Sequence, residues 1–134
     1  MLVIRKEQMD AFGWQTEEEF VRFVMEHIRE ESPERVLGYA DEYFEEMVRN
    51  GLARARSHGF REEEDLAAFV AIMFEIAPNF DEQPNIKKVL DDKTIPSDRR
   101  FEQLWGLTSN EDWEEAKRNS REEAWFPSKE EAKR

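Results

Sequence analysis

The sequence predicts an all-α fold: a compact single-domain bundle of about five to seven helices. Three observations carry that expectation. Glycine, the weakest helix former after proline, is scarce, with five in 134 residues. Glu, Arg, Ala, Leu and Met dominate while β-branched residues are few, so summed propensity favours helix nearly everywhere. Apolar residues also recur at three- and four-residue spacing between recognisable capping signals. A chain of this length supports one core. Residues 1–119 are expected to form the helical domain, and residues 120–134 a charged C-terminal tail or docking arm.

The first element is expected over VIRKEQMDAF, where Ile4, Gln8, Met9 and Phe12 fall at helical spacing before Gly13 interrupts them. TEEEFVRFVMEHIREES opens with Thr16 three residues before Glu19, a capping box. Phe20, Val24 and Ile28 then make one stripe, flanked by Val21 and Met25. Ser32 followed by Pro33 reads as a fresh start, with proline at the first helical position, and Gly38 leaves open whether this helix continues past it.

In DEYFEEMVRNGLARARSHG, Phe44, Met47, Val48, Leu52 and Ala55 share a face, and Asp41, Glu42, Glu45, Glu46 and Arg54 take the other. Asn50 and Gly51 interrupt the composition but not the phase, so Gly51 is expected inside the helix, where a neighbour packs close. Gly59 is the expected stop, a left-handed cap after a cationic last turn.

EEEDLAAFVAIMFEIAP is acidic for one turn and then apolar almost all round, through Leu66, Phe69, Val70, Ile72, Met73, Phe74 and Ile76. It is the expected central helix, and Pro78 stops it by lacking an amide donor and biasing Ala77 away from helix. Phe80 is expected to plug the core from the next loop, with Asp81 capping or turning the backbone. Two short helices then place Ile86, Val89 and Leu90, and Phe101, Leu104 and Trp105, inward. Ser109 opens the last helix as another Ser-x-x-acid cap.

Ten phenylalanines and four tryptophans let a hydrophobic fraction of only 39% cover a large area, so the core should be aromatic-rich. The net charge of -12 repels phosphate backbones and anionic bilayers, which argues against nucleic-acid and membrane partners and suits a basic protein. Cysteine is absent, so disulfides, thiolate metal sites and thiol nucleophiles are excluded. The apolar run in MLVIRKEQMD is too short for a signal peptide and no window reaches membrane-spanning length, so a cytoplasmic location is expected.

Chemistry-bearing motifs are scarce. Only His27 and His58 could supply imidazole ligands, and there is no His-Glu-x-x-His motif. His27 with Glu30 and Glu31 is read as a surface histidine among acids. Asn79, Asp81, Glu82 and Gln83 lack the alternation, glycine and distal acid of a calcium loop. Among 32 acidic residues a catalytic carboxylate pair has no distinguishing spacing, and neither a nucleophile elbow nor a phosphate loop is present. Arg54, Arg56, His58 and Arg61 form one basic strip, read as pairing with helix acids. No catalytic, metal or cofactor residues are assigned. Trp113, Trp125 and Phe126, rings on otherwise polar C-terminal segments, are the candidate partner anchors, unless they serve only to pin the tail to this domain. Asp41, Glu42, Glu45 and Glu46 supply an acidic face for the same partner.

The opening Ile4, Arg5, Glu7, Gln8 and Met9, then Gly51, Ala55, Gly59 and Phe60, then Phe69, Met73, Phe74, Pro78, Phe80, Asp81 and Pro84 together resemble a group of small bacterial proteins encoded in type VI secretion neighbourhoods, beside spike-tip (PAAR-type) and toxin genes. The likeness covers roughly residues 2 to 105. Ala77 stands where glycine is expected before the proline, and Gln83 where an acid is common. The resemblance implies an accessory partner of a secreted toxin, either an adaptor or chaperone that helps load it or an immunity protein that blocks it, and it brings no catalytic residues. The expected function is therefore non-enzymatic binding of a basic toxin or a secretion-apparatus component. The alternatives are a self-associating structural subunit and a carboxylate-dependent metal enzyme.

Overall fold

Thr16 opens the first helix as its spacing from Glu19 predicts, its hydroxyl accepting the Glu19 amide N–H at 3.1 Å. The computed structural model describes residues 16–127. Among them are α1 (Glu17–Glu31), α2 (Pro33–Val36), α3 (Asp41–Ser57), α4 (Glu63–Glu75), α5 (Pro84–Leu90), α6 (Arg100–Leu107) and α7 (Asn110–Arg118). Short 3₁₀ turns at Phe80–Glu82, Ser97–Arg99 and Glu122–Trp125 join or follow them, and no strand occurs among the described residues. The expected helix over residues 3–12 lies outside the described residues.

Helix α4 is central because its sequence leaves it no polar side beyond its first turn. Leu66, Ala67 and every residue from Phe69 to Phe74 are buried. Its main neighbour is α3, which also packs on α1 and on the last 3₁₀ turn. The apolar stripe of α1 (Phe20, Val21, Val24, Met25, Ile28) and that of α3 (Phe44, Met47, Val48, Leu52, Ala55) are buried, in the phase their spacing predicts. Helix α2 is a single turn after Ser32, and the chain leaves it through Gly38 at φ +93°. Gly59, at φ +92°, follows the cap of α3 as its sequence position predicts.

Close approach of α3 to α4 depends on Gly51. A Cβ there would sit 3.1 Å from Val70 Cγ2 and 3.2 Å from Met73 Sδ, tighter than ordinary van der Waals contact. The glycine sacrifices helix propensity and gains interhelical contact.

The helices are held by a continuous run of rings. Phe101 stacks on Phe60 at 4.8 Å between centroids, Phe60 meets Phe69 at 6.1 Å, and Phe69 meets Phe80 at 4.8 Å. Trp113 stacks on Phe80 at 6.0 Å, and Trp105 lies 5.2 Å from Trp113. One chain of π contacts thus ties α6, the α3–α4 connection, α4, the loop after it and α7. Phe80 is fully buried and plugs the core as expected. A second run, Phe44 to Phe74 to Trp125, links α3, α4 and the tail at 5.5 and 4.3 Å. Removing each such phenylalanine from water contributes roughly 2–3 kcal/mol, and the edge and offset ring geometries add to it.

Two expectations about orientation are corrected. Trp105, expected inward beside Phe101 and Leu104, is 42% exposed, because α6 has only about two turns and its buried stripe is completed by Phe101 and Leu104. Arg54, expected on the outer face of α3, turns instead toward a buried carboxylate. At the C-terminal end, Ser109 and Asp112 form a reciprocal capping box, with amide-to-oxygen distances of 3.3 and 2.8 Å.

Gly51→Val should lower the unfolding free energy by roughly 1–3 kcal/mol through overpacking against Val70 and Met73, read from the midpoint of urea unfolding. An unchanged or raised midpoint would show that the α3–α4 contact does not require the missing side chain.

Candidate functional site

The loop that closes α4 carries the most concentrated polar chemistry in the described structure. Asp81, only 5% exposed, lies one residue beyond the core plug Phe80, so its carboxylate cannot reach bulk water. An unpaired anion there would be costly. Helix α3 supplies the compensation from its last turns: Arg54 donates through Nε to Oδ2 at 2.9 Å and through Nη2 to Oδ1 at 2.7 Å, and His58 Nε2 lies 2.7 Å from Oδ2. The other imidazole nitrogen, Nδ1, is 3.0 Å from Asp91, which also receives Lys87 Nζ at 2.6 Å.

Around this clamp, Glu82 takes Arg121 at 2.6 Å and Arg54 at 3.5 Å. Asn79 donates to Glu82 and to the Asn119 carbonyl, and accepts the Arg121 amide. Arg100, itself buried, donates to the His58 carbonyl at 2.6 Å and so caps the end of α3.

The charge states follow from these contacts. Burial works against a charged His58, but the hydrogen bond and charge of Asp81, reinforced by Asp91, outweigh it and raise its pKa above the ordinary 6.5. Burial likewise pushes Asp81 up, and hydrogen bonds from His58 and Arg54, with their charges, hold it below the usual carboxylate value. Both partners therefore favour the ionised pair, with the imidazolium donating from both nitrogens. Asp65 behaves in the opposite way. Burial, then repulsion from Glu64, Glu62 and Asp98, pushes its carboxyl up to about 7 at the start of α4. The acidic first turn that suits the helix dipole is overcrowded at this side chain.

The basic strip of α3 is thus largely committed inside the molecule: Arg54 and His58 to Asp81, and Arg56 to Glu17 at 2.8 Å. Asp81, expected to cap or turn the backbone, is the anchor of the cluster, and Gln83 rather than Asp81 caps α5, accepting the Ile86 amide at 2.9 Å. His27 is half-buried and stacks on Phe23 at 5.9 Å, not exposed among acids, and its Nε2 has no partner among the described residues. No group of three or more His, Asp or Glu side chains suited to holding a metal ion occurs among the described residues.

The expected partner anchors are not brought to one surface. Trp125 is 3% exposed, packed on Phe74, and its carbonyl accepts Asn50 Nδ2 at 2.8 Å. It pins the tail to the domain and is not an exposed anchor. Trp113 is half-buried on Phe80, its indole N–H donating to Thr108 Oγ1 at 3.0 Å. Phe126 remains partly open, and its ring meets Tyr43 at 5.1 Å.

Phe126 leads to a surface feature that helical periodicity does not reveal. Tyr39, Tyr43 and Phe126 form a ladder of rings, 5.4 and 5.1 Å apart, in which Tyr43 is 46% exposed. Leu37, two residues before Tyr39, is 87% exposed. Of the acids expected on the outer face of α3, Asp41 pairs with Arg29 at 2.6 Å and Glu45 with Arg49 at 3.1 Å. Glu42 and Glu46 make no ion pair among the described residues. The one available signal is the four-residue spacing of Tyr39 and Tyr43 across the start of α3. Both fall outside the inward stripe, which is the pattern that periodicity detects.

No family model matches the chain, and neither a curated protein nor a solved structure does. Among the described residues, no helix is long and apolar enough to cross a membrane.

Stability should depend on pH through three of these groups. The contribution of His58 is complete below about pH 6.5 and is lost as pH rises through its raised folded value. That of Asp81 is complete above the ordinary carboxylate value and is lost as pH falls through its lowered one. Asp65 adds a penalty that grows from its ordinary value of 3.8 up to about 7. Urea unfolding should therefore give maximal stability at mildly acidic pH and a decline toward pH ~8. Asp65→Asn should flatten the lower part of that decline and His58→Gln the part above about pH 6.5; a profile indifferent to both would contradict the assignment. Asp81→Asn should destabilise by roughly 3 kcal/mol, because it leaves Arg54 and His58 without their buried counter-charge. A variant as stable as the parent would show that the clamp contributes nothing.

Proposed function

We propose that this protein is a non-enzymatic binding protein for a basic protein partner, engaged through the Leu37–Tyr39–Tyr43–Phe126 surface and the acids beside it. The observation that carries the reading is the exposed ring ladder, set against an interior whose ionic chemistry is consumed by pairing. Exposed aromatic side chains with few rotatable bonds are efficient anchors, and a border of Glu42 and Glu46 adds steering toward a cationic surface. The net charge of -12 acts in the same direction.

The partner class follows the resemblance to small proteins of type VI secretion neighbourhoods: a secreted toxin or a component of the secretion apparatus, with this protein as adaptor, chaperone or immunity partner. Gly51, Ala55, Phe60, Phe69, Phe80 and Asp81, which carry much of that resemblance, are scaffold residues here. They hold α3, α4 and the α4–α5 loop together, whereas the ring ladder lies outside them.

A self-associating subunit is the second reading, favoured by exposed Trp105 and Leu107 on α6. Repulsion between two copies of charge -12 opposes it. Light scattering on a concentrated solution distinguishes the two, since a monomer removes the self-associating reading.

A partner captured with the whole chain as bait, then purified, should be basic and should bind less tightly as salt is raised. Tyr43→Ala should weaken it by about tenfold or more, while Trp105→Ala should leave it unchanged. Affinity insensitive to Tyr43 would refute the ring ladder as the docking surface. An immunity role would then show as protection of cells from the captured toxin without any effect on its export, and an adaptor role as the reverse.

A further inference from the structure

Beside the ring ladder, a pocket of about 360 Å3 opens between the C-terminal end of α4, the α2 turn and the tail. Its inner lining is Met47, Met73, Phe74 and Trp125, and its mouth carries Glu34, Tyr39 and Glu122. The charged side chains of the lining are two acids, Glu34 and Glu122, and one cation, Arg35. Helix α4 ends here with no basic residue in its last turn, so the partial negative charge of its carbonyl end has no cation of its own element to meet it. Glu34 and Glu122 make no ion pair among the described residues, and Glu122 lies close enough to Tyr39 to raise its phenol pKa, after burial as the larger cause. Arg35 is the one cation on the lining. It is exposed and makes no ion pair among the described residues, so it can leave the mouth without breaking one.

We propose that this pocket is the socket for a single arginine side chain of the partner, a reading that rests on the protein-binding function proposed above. The aliphatic stem would lie on Phe74 and Ile76, the more open apolar residues of the lining. The planar guanidinium would lie over Tyr39 and reach Glu34 and Glu122 as hydrogen-bonding counter-charges. Arginine suits this arrangement better than lysine, because a flat delocalised cation both stacks on a ring and bridges two carboxylates. The socket also gives the buried Trp125 a role: held by Phe74 and Asn50, it forms a wall of the pocket.

The test is a titration of the whole 15N-labelled chain with N-acetyl-arginine methylamide, with the norleucine analogue in parallel. The expected result is saturable shifts confined to Tyr39, Met73, Phe74 and Trp125 with the arginine compound, at affinity on the order of millimolar. Those shifts should be weakened about fivefold or more in the double variant Glu34→Gln, Glu122→Gln, whose spectrum otherwise overlays the parent. Equal shifts with the norleucine compound, shifts spread over the acidic surface and unaffected by the double variant, or none at the pocket would each overturn the socket. The docking surface fails separately. Tyr43-dependent partner binding without fragment shifts removes the socket alone, and fragment shifts with Tyr43-independent partner binding remove the ladder alone.

Discussion

A carboxylate one residue past a fully buried phenylalanine governs how this bundle is assembled. Phe80 must enter the core to join the ring run from Phe60 through Phe69 to Trp113, and the backbone then delivers Asp81 to a place without water. The anion is tolerable only because α3 ends beneath it, with Arg54 forked onto both oxygens and His58 closing the second side. Burial of Phe80 and pairing of Asp81 are one event. Together they fix the crossing from α4 to α5 against α3, while Gly51 admits close contact of α3 with Val70 and Met73 of α4. Such a buried pair specifies geometry more than it adds net stability, since desolvation of both charges offsets much of their attraction.

This clamp also shapes what the exterior has left to offer. Arg54, Arg56 and His58 are the main local basic run, and the fold uses them internally. Arg121 is drawn onto Glu82, which brings the tail back over the domain and lets Trp125 reach Phe74. Toward the N-terminal end of α3, Glu42 and Glu46 stay outside any ion pair among the described residues. An acidic, ring-bearing surface therefore follows from the same distribution of charge that secures the interior.

The bundle is legible in the sequence wherever its signals are local. Helix phase for α1, α3 and α4, the Ser109 capping box, the Gly59 stop, the tolerance of Gly51 and the plug at Phe80 all rest on residues a few positions apart. The illegible features are long-range or short of context. Arg54 and Asp81 are 27 residues apart, and among 32 acids nothing marks one carboxylate as the buried one. Trp105 sits on a helix too short for periodicity to define its inner face. Trp125 and Phe126 read alike as tail aromatics, and only the path of the backbone after Asn119 separates the wall of a pocket from an open ring. The ladder of Tyr39 and Tyr43 leaves only its four-residue spacing in the sequence, because a tyrosine beside an inward stripe carries no mark of exposure.

The contacts among His58, Asp81 and Arg54 favour an ionised, fully hydrogen-bonded cluster. Following the ring nitrogens of His58 by NMR as pH is raised is the decisive check. Both nitrogens should be protonated at mildly acidic pH, with a single titration above the ordinary imidazole value. A neutral tautomer at mildly acidic pH, with one nitrogen bare beside a carboxylate, would contradict this and turn the same residues into a candidate acid–base pair.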